Sequence, residues 1–224
     1  MTKALRLPAL AVTLACLLSG CDRQTSPPPR VSQAKPTFAG TIVAVGDSLT
    51  AGYGVIEADA YPARLEKKLQ AAGFNWQVVN AGISGETSSG TLSRVEWVLR
   101  LKPDVVILET GANDGLRGID PKVTKKNIDE TVRIFKENRV TVILAGMRMV
   151  TSMGRDFTTQ FAAIYPAVAK KYTLVLVPFF LQGVAGVPNL NQDDGIHPRA
   201  EGYRIITDIV YPYVVPVLTS KIRG

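Results

Sequence analysis

Short apolar runs rich in valine and isoleucine alternate along this chain with longer amphipathic stretches. The apolar runs occupy residues 41–45, 77–79, 105–108, 140–144 and 174–177. Continuous apolarity over so few positions is typical of parallel strands that are covered on both faces. The amphipathic stretches have helical spacing and occupy residues 61–72, 91–101, 124–138, 157–171 and 200–218. This alternation predicts an α/β fold with a parallel sheet and right-handed crossovers.

The amino-terminal end of the chain has the pattern of a secretory signal. Two basic residues precede an apolar run at residues 7–18, and small residues follow it. The run is shorter than the about 20 residues that a membrane-spanning helix needs. The sequence Leu-Ser-Gly-Cys at residues 18–21 resembles the bacterial lipobox, in which cleavage falls before a cysteine that becomes lipid-modified. We therefore predict that residues 1–20 are removed and that Cys21 is a lipid anchor; the alternative is a cysteine that merely follows an ordinary cleavage site.

Residues 21–37 are predicted to link this anchor to the folded part of the chain. After Cys21 the segment contains four prolines and no apolar periodicity, which indicates a semi-rigid, partly polyproline tether. Cys16 would be lost with the signal, so the mature chain would keep Cys21 as its only thiol. This excludes an intramolecular disulfide, a cysteine nucleophile and a cysteine-based metal site. Residues 38–224 are predicted to form one domain, held at a membrane surface on the periplasmic side of a bacterial envelope.

The formal net charge of +7 does not indicate a nucleic-acid-binding protein. Five basic residues and one acidic residue lie before residue 38, which leaves 21 basic and 18 acidic residues, or +3, for the domain. The paired lysines of the domain fall in three separate amphipathic stretches, where solvated helix faces explain them. Nucleic acid is therefore disfavoured as a partner. With 46% hydrophobic residues, the chain has enough apolar material for one domain core.

Polar and glycine-rich segments follow four of the predicted strands. They are residues 46–49, 80–85, 109–115 and 193–198. In open parallel sheets, ligands bind beyond the carboxyl ends of the strands. We therefore expect these four segments to converge at one edge of the sheet.

His197 is the only histidine in the chain, so any imidazole base must be His197. Pro198 disfavours helical conformation at position 197 and suits the start of a helix, which predicts an extended loop at a helix entrance. Asp194 lies three residues earlier, close enough for its carboxylate to meet one ring nitrogen and fix the tautomer. Spacing alone leaves Asp193 as an alternative partner.

Ser48 follows a predicted strand and a glycine, as a nucleophile on a strand-to-loop turn would. The plainer interpretation is a loop in which Asp47 or Ser48 caps a helix. No Gly-x-Ser-x-Gly sequence is present, which argues against the usual α/β-hydrolase nucleophile turn. Asn113 lies in an Asn-Asp-Gly turn signal, and Gly85 has the residue type of a loop position with positive φ. Each of these features, considered separately, is also explained by local structure.

Four segments in order carry a family resemblance. GDSLTAGYG at 46–54, NAGISGE at 80–86, GANDG at 111–115 and DGIHP at 194–198 resemble the four sequence blocks of the SGNH (GDSL) hydrolase superfamily. Within it the chain is similar to the bacterial group of arylesterases, acyl-thioesterase I and lysophospholipase L1, over essentially all of residues 41–218. The resemblance implies a flavodoxin-like three-layer α/β/α sandwich with a five-stranded parallel sheet in the order 2-1-3-4-5.

The resemblance also implies a serine esterase with a Ser-His-Asp triad. Ser48 would be the nucleophile, His197 the general base and Asp194 the acid that orients it. The oxyanion hole would consist of the backbone N–H groups of Ser48 and Gly85 and the side-chain amide of Asn113. The implied substrates are aryl or acyl esters, with thioesters and lysophospholipids as further possibilities. The reaction passes through an acyl-enzyme, and neither a metal nor an organic cofactor is needed.

Met147, Met149 and Met153 follow the fourth apolar run. Methionine is unbranched and polarizable, so we predict that these three side chains form an adaptable lip for acyl chains. The plainer interpretation is ordinary packing within a loop.

Two other functions fit parts of the pattern. A carbohydrate or peptidoglycan O-acetylesterase would use the same triad on a smaller acyl group. A non-catalytic, flavodoxin-like binding lipoprotein would explain the sheet and the first loop but would give His197 no role.

Overall fold

A computed structural model describes residues 37–223 of the chain. Its sheet has five parallel strands: β1 (Gly40–Gly46), β2 (Trp76–Gly82), β3 (Val105–Glu109), β4 (Thr141–Ala145) and β5 (Val175–Val177). They lie in the order β2-β1-β3-β4-β5, which confirms both the α/β class and the strand order that the family resemblance implied. The predicted signal, Cys21 and most of the predicted tether lie outside the described residues.

Helices cover both faces of the sheet. They are α1 (Ser48–Ala51), α2 (Tyr61–Ala71), α3 (Ser88–Ser93), α4 (Val95–Arg100), α5 (Ala112–Leu116), α6 (Pro121–Glu137), α7 (Arg155–Tyr172) and α8 (Ala200–Arg223). Helix α2 packs against α8, and α6 packs against α3 and α7. The continuous apolarity of the central strands follows from this cover, because every residue of β3 is buried.

One predicted helix is two helices in the structure. The pattern at residues 91–101 predicted a single helix, whereas α3 ends at Ser93 and α4 begins at Val95. Between them, the half-buried guanidinium of Arg94 donates hydrogen bonds to both carboxylate oxygens of Glu86, at 2.6 and 2.7 Å, and to the carbonyl of Gly46 at 3.3 Å. The break therefore coincides with a side chain that joins this segment to the end of β1.

Among the described residues, α8 is the one helix that is long and apolar enough to span a membrane. It also contains Pro212 and Pro216. Its residues Tyr203, Ile206 and Val210 are fully buried in the domain core, at the spacing of one helix face. We therefore describe α8 as a packed helix of the domain.

Candidate active site

Ser48 begins the short helix α1 directly after β1. Asp47 caps this helix, because its Oδ1 accepts a hydrogen bond from the backbone N–H of Leu49 at 2.9 Å. The turn has no room for a side chain at Gly46, where a Cβ would lie 2.5 Å from Oε2 of Glu109. The end of β1, the glycine at position 46 and the Asp47 cap together fix the backbone that carries Ser48.

The side chains of Ser48, His197 and Asp194 form one hydrogen-bonded chain. Nε2 of His197 lies 2.9 Å from Oγ of Ser48, and Nδ1 lies 2.6 Å from Oδ2 of Asp194. Oδ1 of Asp194 accepts hydrogen bonds from the backbone N–H groups of Ile196 and His197 at 2.9 and 3.0 Å. The arrangement can take a proton from the serine hydroxyl onto an imidazole whose other nitrogen is held by a carboxylate.

The carboxyl of Asp194 stays ionised in this setting. The backbone N–H of His197, then its imidazole and then the backbone N–H of Ile196 lower the pKa of Asp194 to about 2. The neighbouring Asp193 is fully exposed and pairs with Arg199 at 2.7 Å. The geometry therefore distinguishes two adjacent acids that sequence spacing left as alternatives.

The loop that carries His197 is joined to the loop after α1. The backbone N–H of Gln192 donates to the carbonyl of His197 at 2.7 Å, and Nε2 of Gln192 donates to the carbonyl of Tyr53 at 2.7 Å. The ring centroids of Tyr53 and His197 are 4.6 Å apart. Sequence reasoning assigned neither Tyr53 nor Gln192 to the site, because only the fold brings residues 139 positions apart into contact.

A cleft of about 600 Å³ opens beside the triad. Its lining includes Asp194 together with Tyr53, Val55 and Ile56. Tyr53 and Ile56 are 52% and 70% exposed and give the cleft an apolar part, next to charged residues that include Asp59, Asp193 and Arg199. The exposed side chains of Tyr53 and Ile56 can cover an apolar part of a substrate.

Asn113 and Gly85 lie on the segments that follow β3 and β2. Nδ2 of Asn113 donates to Oδ2 of Asp47 at 3.1 Å, which uses one of the two N–H donors of the amide group and leaves the other. Gly85 is exposed with φ of 80°, and its carbonyl accepts a hydrogen bond from the Arg117 guanidinium at 2.9 Å. The oxyanion roles of the Ser48, Gly85 and Asn113 donors remain predictions.

A network of buried hydrogen bonds joins the segments that follow β2 and β3. The carboxylate of Asp114, 1% exposed, accepts a hydrogen bond from the backbone N–H of Ser88 at 2.7 Å and one from the Thr124 hydroxyl at 3.2 Å. Asp114 directly follows Asn113, so the network holds the start of α3 against the helix that carries the candidate oxyanion donor.

Two carboxyl groups lie beneath the Ser48 turn. Glu109, the last residue of β3, is fully buried, and Asp47 is 1% exposed. Burial raises the pKa of Asp47 to about 6, and burial followed by the nearby Asp47 charge raises the pKa of Glu109 well above its ordinary value. Sequence reasoning gave Glu109 no role; the available signal was an acid that ends an otherwise apolar strand.

The predicted methionine lip is wrong for Met147. Met147 directly follows the β4 end and is 2% exposed, so it is a core side chain that no substrate at the surface can reach. Met149 is half-buried and packs over Gly115 of α5, and Met153 is half-buried in a single 3-10 turn (Thr151–Met153). A substrate role for Met149 and Met153 stays a prediction.

Comparison with known proteins gives a consistent result. The sequence profile of the GDSL-like lipase/acylhydrolase family matches residues 44–205. The chain is 37% identical over 205 residues to Esterase TesA of Pseudomonas aeruginosa, an alignment that covers 91% of this chain and 99% of that protein. It is also 37% identical to Thioesterase 1/protease 1/lysophospholipase L1 of Escherichia coli, over 80% of this chain and 86% of that protein.

The fold is similar to that of solved structures as well. The crystal structure of TesA superposes with a TM-score of 0.76 at 37% sequence identity and covers 79% of this chain and 98% of that one. Sequence and structure therefore point to the same group of proteins.

Proposed function

Because the chain belongs to the GDSL-like lipase/acylhydrolase family, we propose that it is a serine esterase that hydrolyses aryl and acyl esters through an acyl-enzyme. The observation that carries this proposal is the hydrogen-bonded chain from Asp194 through His197 to Ser48. A non-catalytic binding lipoprotein would leave that chain without a role.

In the first half of the reaction Ser48 Oγ attacks the acyl carbon while Nε2 of His197 accepts its proton. The ionised Asp194 stabilises the imidazolium that forms. The negative charge that develops on the acyl oxygen is met by the backbone N–H groups of Ser48 and Gly85 and by the free N–H of the Asn113 amide. These donors are most valuable in the tetrahedral state, which is where they lower the barrier.

The first half ends when the bond between the acyl carbon and the leaving oxygen or sulfur breaks and His197 gives its proton to the leaving group, which leaves the acyl-enzyme. In the second half a water molecule loses a proton to His197 and attacks the acyl-enzyme at the same carbon. The tetrahedral oxygen again accepts hydrogen bonds from the same donors, the bond from this carbon to Ser48 Oγ breaks, and His197 returns its proton to Ser48 as the acid leaves. The reaction balances with ester and water as the only reactants.

The relatives' names include esterase, thioesterase and lysophospholipase, which supports substrates with an acyl or aryl part. The exposed side chains of Tyr53 and Ile56 in the lining of the cleft support the same class. We propose carboxylic esters as the main substrates, with acyl thioesters and lysophospholipids as further substrates of the same site.

We also propose that the enzyme is held at the membrane by lipidated Cys21, on the periplasmic side of a bacterial envelope. The support is the Leu-Ser-Gly-Cys sequence after the apolar run and the proline-rich segment that follows. The tether would keep the ester site close to lipid without inserting the domain.

Hydrolysis of p-nitrophenyl esters by wild type, Ser48→Ala, His197→Ala and the double variant tests the function. Each single change is expected to remove most activity, and the double variant is expected to be little worse, because the two residues act as one unit. Losses that simply multiply would contradict the assignment of Ser48 and His197 to one catalytic unit.

A further inference from the structure

The carboxyl group of Glu109 lies directly under the turn that carries Ser48. Its Oε2 accepts a hydrogen bond from the Thr50 hydroxyl at 2.9 Å and one from the backbone N–H of Asp47 at 3.3 Å. These two donors belong to the residues two positions after and one position before Ser48. The esterase mechanism above uses neither Glu109 nor Thr50, although both are fully buried.

The other carboxyl oxygen of Glu109 has no donor. Within residues 37–223, Oε1 of Glu109 has no hydrogen-bond partner. A fully buried carboxylate with an unsatisfied oxygen is expensive, whereas a protonated carboxyl can donate from that group. Asp47 is the neighbouring buried acid, since its backbone N–H donates to Oε2 of Glu109 at 3.3 Å. Two adjacent buried acids do not both ionise readily, so the pair retains a proton.

The surrounding groups bear on which of the two acids keeps the proton. Burial raises the pKa of the nearby Tyr61, Tyr165 and Tyr203 hydroxyls on α2, α7 and α8, so these groups stay neutral and bring no charge to the pair. Asp47 accepts hydrogen bonds from the backbone N–H of Leu49 and from the Asn113 amide, and together with the nearby His197 these favour a negative charge on Asp47. The proton therefore belongs on Glu109 and the charge on Asp47.

We propose that Glu109 is a positioning residue of the ester-hydrolysing site, which as a neutral acid holds Thr50 and Asp47 and so fixes both Ser48 and Asn113. The inference rests on the proposed function. Asp47 and Thr50 lie close to Ser48 in the chain, so their contacts with Glu109 act on its position directly. Helix α1 has only four residues and few backbone hydrogen bonds of its own to hold Ser48 in place. The link to Asn113 runs through Asp47, whose Oδ2 accepts from the Asn113 amide at 3.1 Å.

In this role Glu109 fixes the position of the nucleophile, Ser48, relative to the oxyanion donor, Asn113. Reaction rates depend steeply on such geometry, and a displacement of about 1 Å can cost about a hundredfold in rate. Loss of Glu109 contacts should therefore lower kcat. Substrate affinity should change little, because Glu109 is buried below the turn and away from the cleft.

Glu109→Gln, Glu109→Met and Thr50→Val test the inference by kcat and KM on p-nitrophenyl esters and by the rate of labelling with a fluorophosphonate. Glutamine keeps a neutral donor and an acceptor, so kcat should stay within about threefold of wild type. Methionine keeps the volume without either, so kcat and the labelling rate should fall by about tenfold to a hundredfold with KM nearly unchanged. Thr50→Val should lower kcat severalfold in the same way.

Thr131→Val is the matched control. Thr131 is as buried as Thr50, and its hydroxyl has no partner in the described part of the chain, so its removal should change neither kcat nor KM. Circular dichroism and the unfolding midpoint identify any variant that fails to fold. If Glu109→Met does not fold, the kcat, KM and labelling rate of Thr50→Val and Glu109→Gln test the inference.

Three results would overturn the inference in an active wild-type enzyme. They are an unchanged kcat in folded Glu109→Met or Thr50→Val, a loss confined to KM, and a loss in Glu109→Gln as large as in Glu109→Met. The last would mean that an ionised Glu109 is required. A folded wild type without esterase activity would instead overturn the proposed function, and this inference with it.

Discussion

Replacing Asp194 by asparagine changes one atom in the candidate triad and should remove most of the activity. In the structure, Oδ2 of Asp194 lies 2.6 Å from Nδ1 of His197 and must accept from it, because the carboxylate has no proton to give. An asparagine amide can turn its NH₂ towards Nδ1. The imidazole would then carry its proton on Nε2, and a protonated Nε2 cannot accept the proton of Ser48.

The expected fall in kcat of Asp194→Asn follows from this change of tautomer. In other enzymes with a Ser-His-Asp triad, this kind of change lowers kcat by about 10⁴-fold. Here the Asp194 side chain is 40% exposed, so water can partly replace the lost acceptor. We therefore expect a fall in kcat of roughly 10² to 10⁴, with a small change in KM.

Asp193→Asn is the matched control, since it makes the same chemical change one residue away. Its side chain is fully exposed and pairs with Arg199, and such surface pairs contribute at most about 1 kcal/mol to stability. Steady-state hydrolysis of p-nitrophenyl esters by both variants decides the matter. Comparable losses in the two variants, or a near-normal kcat in Asp194→Asn, would refute the reasoning.

Asn113→Ala should lower ester kcat by about a hundredfold or more, as loss of an oxyanion donor does, and a loss confined to KM would assign the amide to substrate binding. The pKa of Glu109 is raised in the folded state, so above the ordinary carboxyl pKa the folded protein binds more protons than the unfolded chain. The free energy of unfolding therefore falls as the pH rises from the ordinary carboxyl pKa to the raised pKa of Glu109. Urea unfolding should therefore show wild type losing stability relative to Glu109→Gln as the pH rises above the ordinary carboxyl range, and the opposite trend would show an ionised, paired Glu109. Cys21→Ala should release the protein from membranes into the soluble envelope fraction with its esterase activity intact, and persistent membrane association would contradict the lipid anchor. Finally, kcat/KM should rise from acetyl to medium-chain esters by up to about fourfold per buried CH₂, and changing Met149 and Met153 to serine should flatten the rise; a wild-type maximum at acetyl would favour the O-acetylesterase alternative.

The sequence predicts the sheet well because burial on both faces leaves a direct mark on composition. The central runs at 41–45 and 105–108 correspond closely to β1 and β3. The run at 77–79 falls short of β2, which extends over Trp76–Gly82. As an edge strand, β2 alternates buried and half-buried residues, so polar positions interrupt the apolar signal at its ends.

The candidate site could be predicted where residues follow strand ends and carry the family resemblance, and could not be predicted where it depends on strand register. Ser48, Asn113, Asp194 and His197 were expected at the carboxyl edge of the sheet from their positions after strands, and their roles were implied by the resemblance. The contact of Glu109 with the Ser48 turn follows from the pairing of β1 with β3, in which Val45 lies opposite Leu108 and brings the next residues of both strands together. No pattern within either segment encodes that register.

Mass spectrometry after treatment with a fluorophosphonate tests the central claim most directly, because the probe reacts with a serine only when that serine is activated. The account predicts one covalent adduct on folded wild type, located on the peptide that contains Ser48. The adduct should be absent in Ser48→Ala and should form far more slowly in His197→Ala. A folded wild type that takes up no adduct, or an adduct that persists in Ser48→Ala, would contradict the assignment of Ser48 as the nucleophile of a serine esterase.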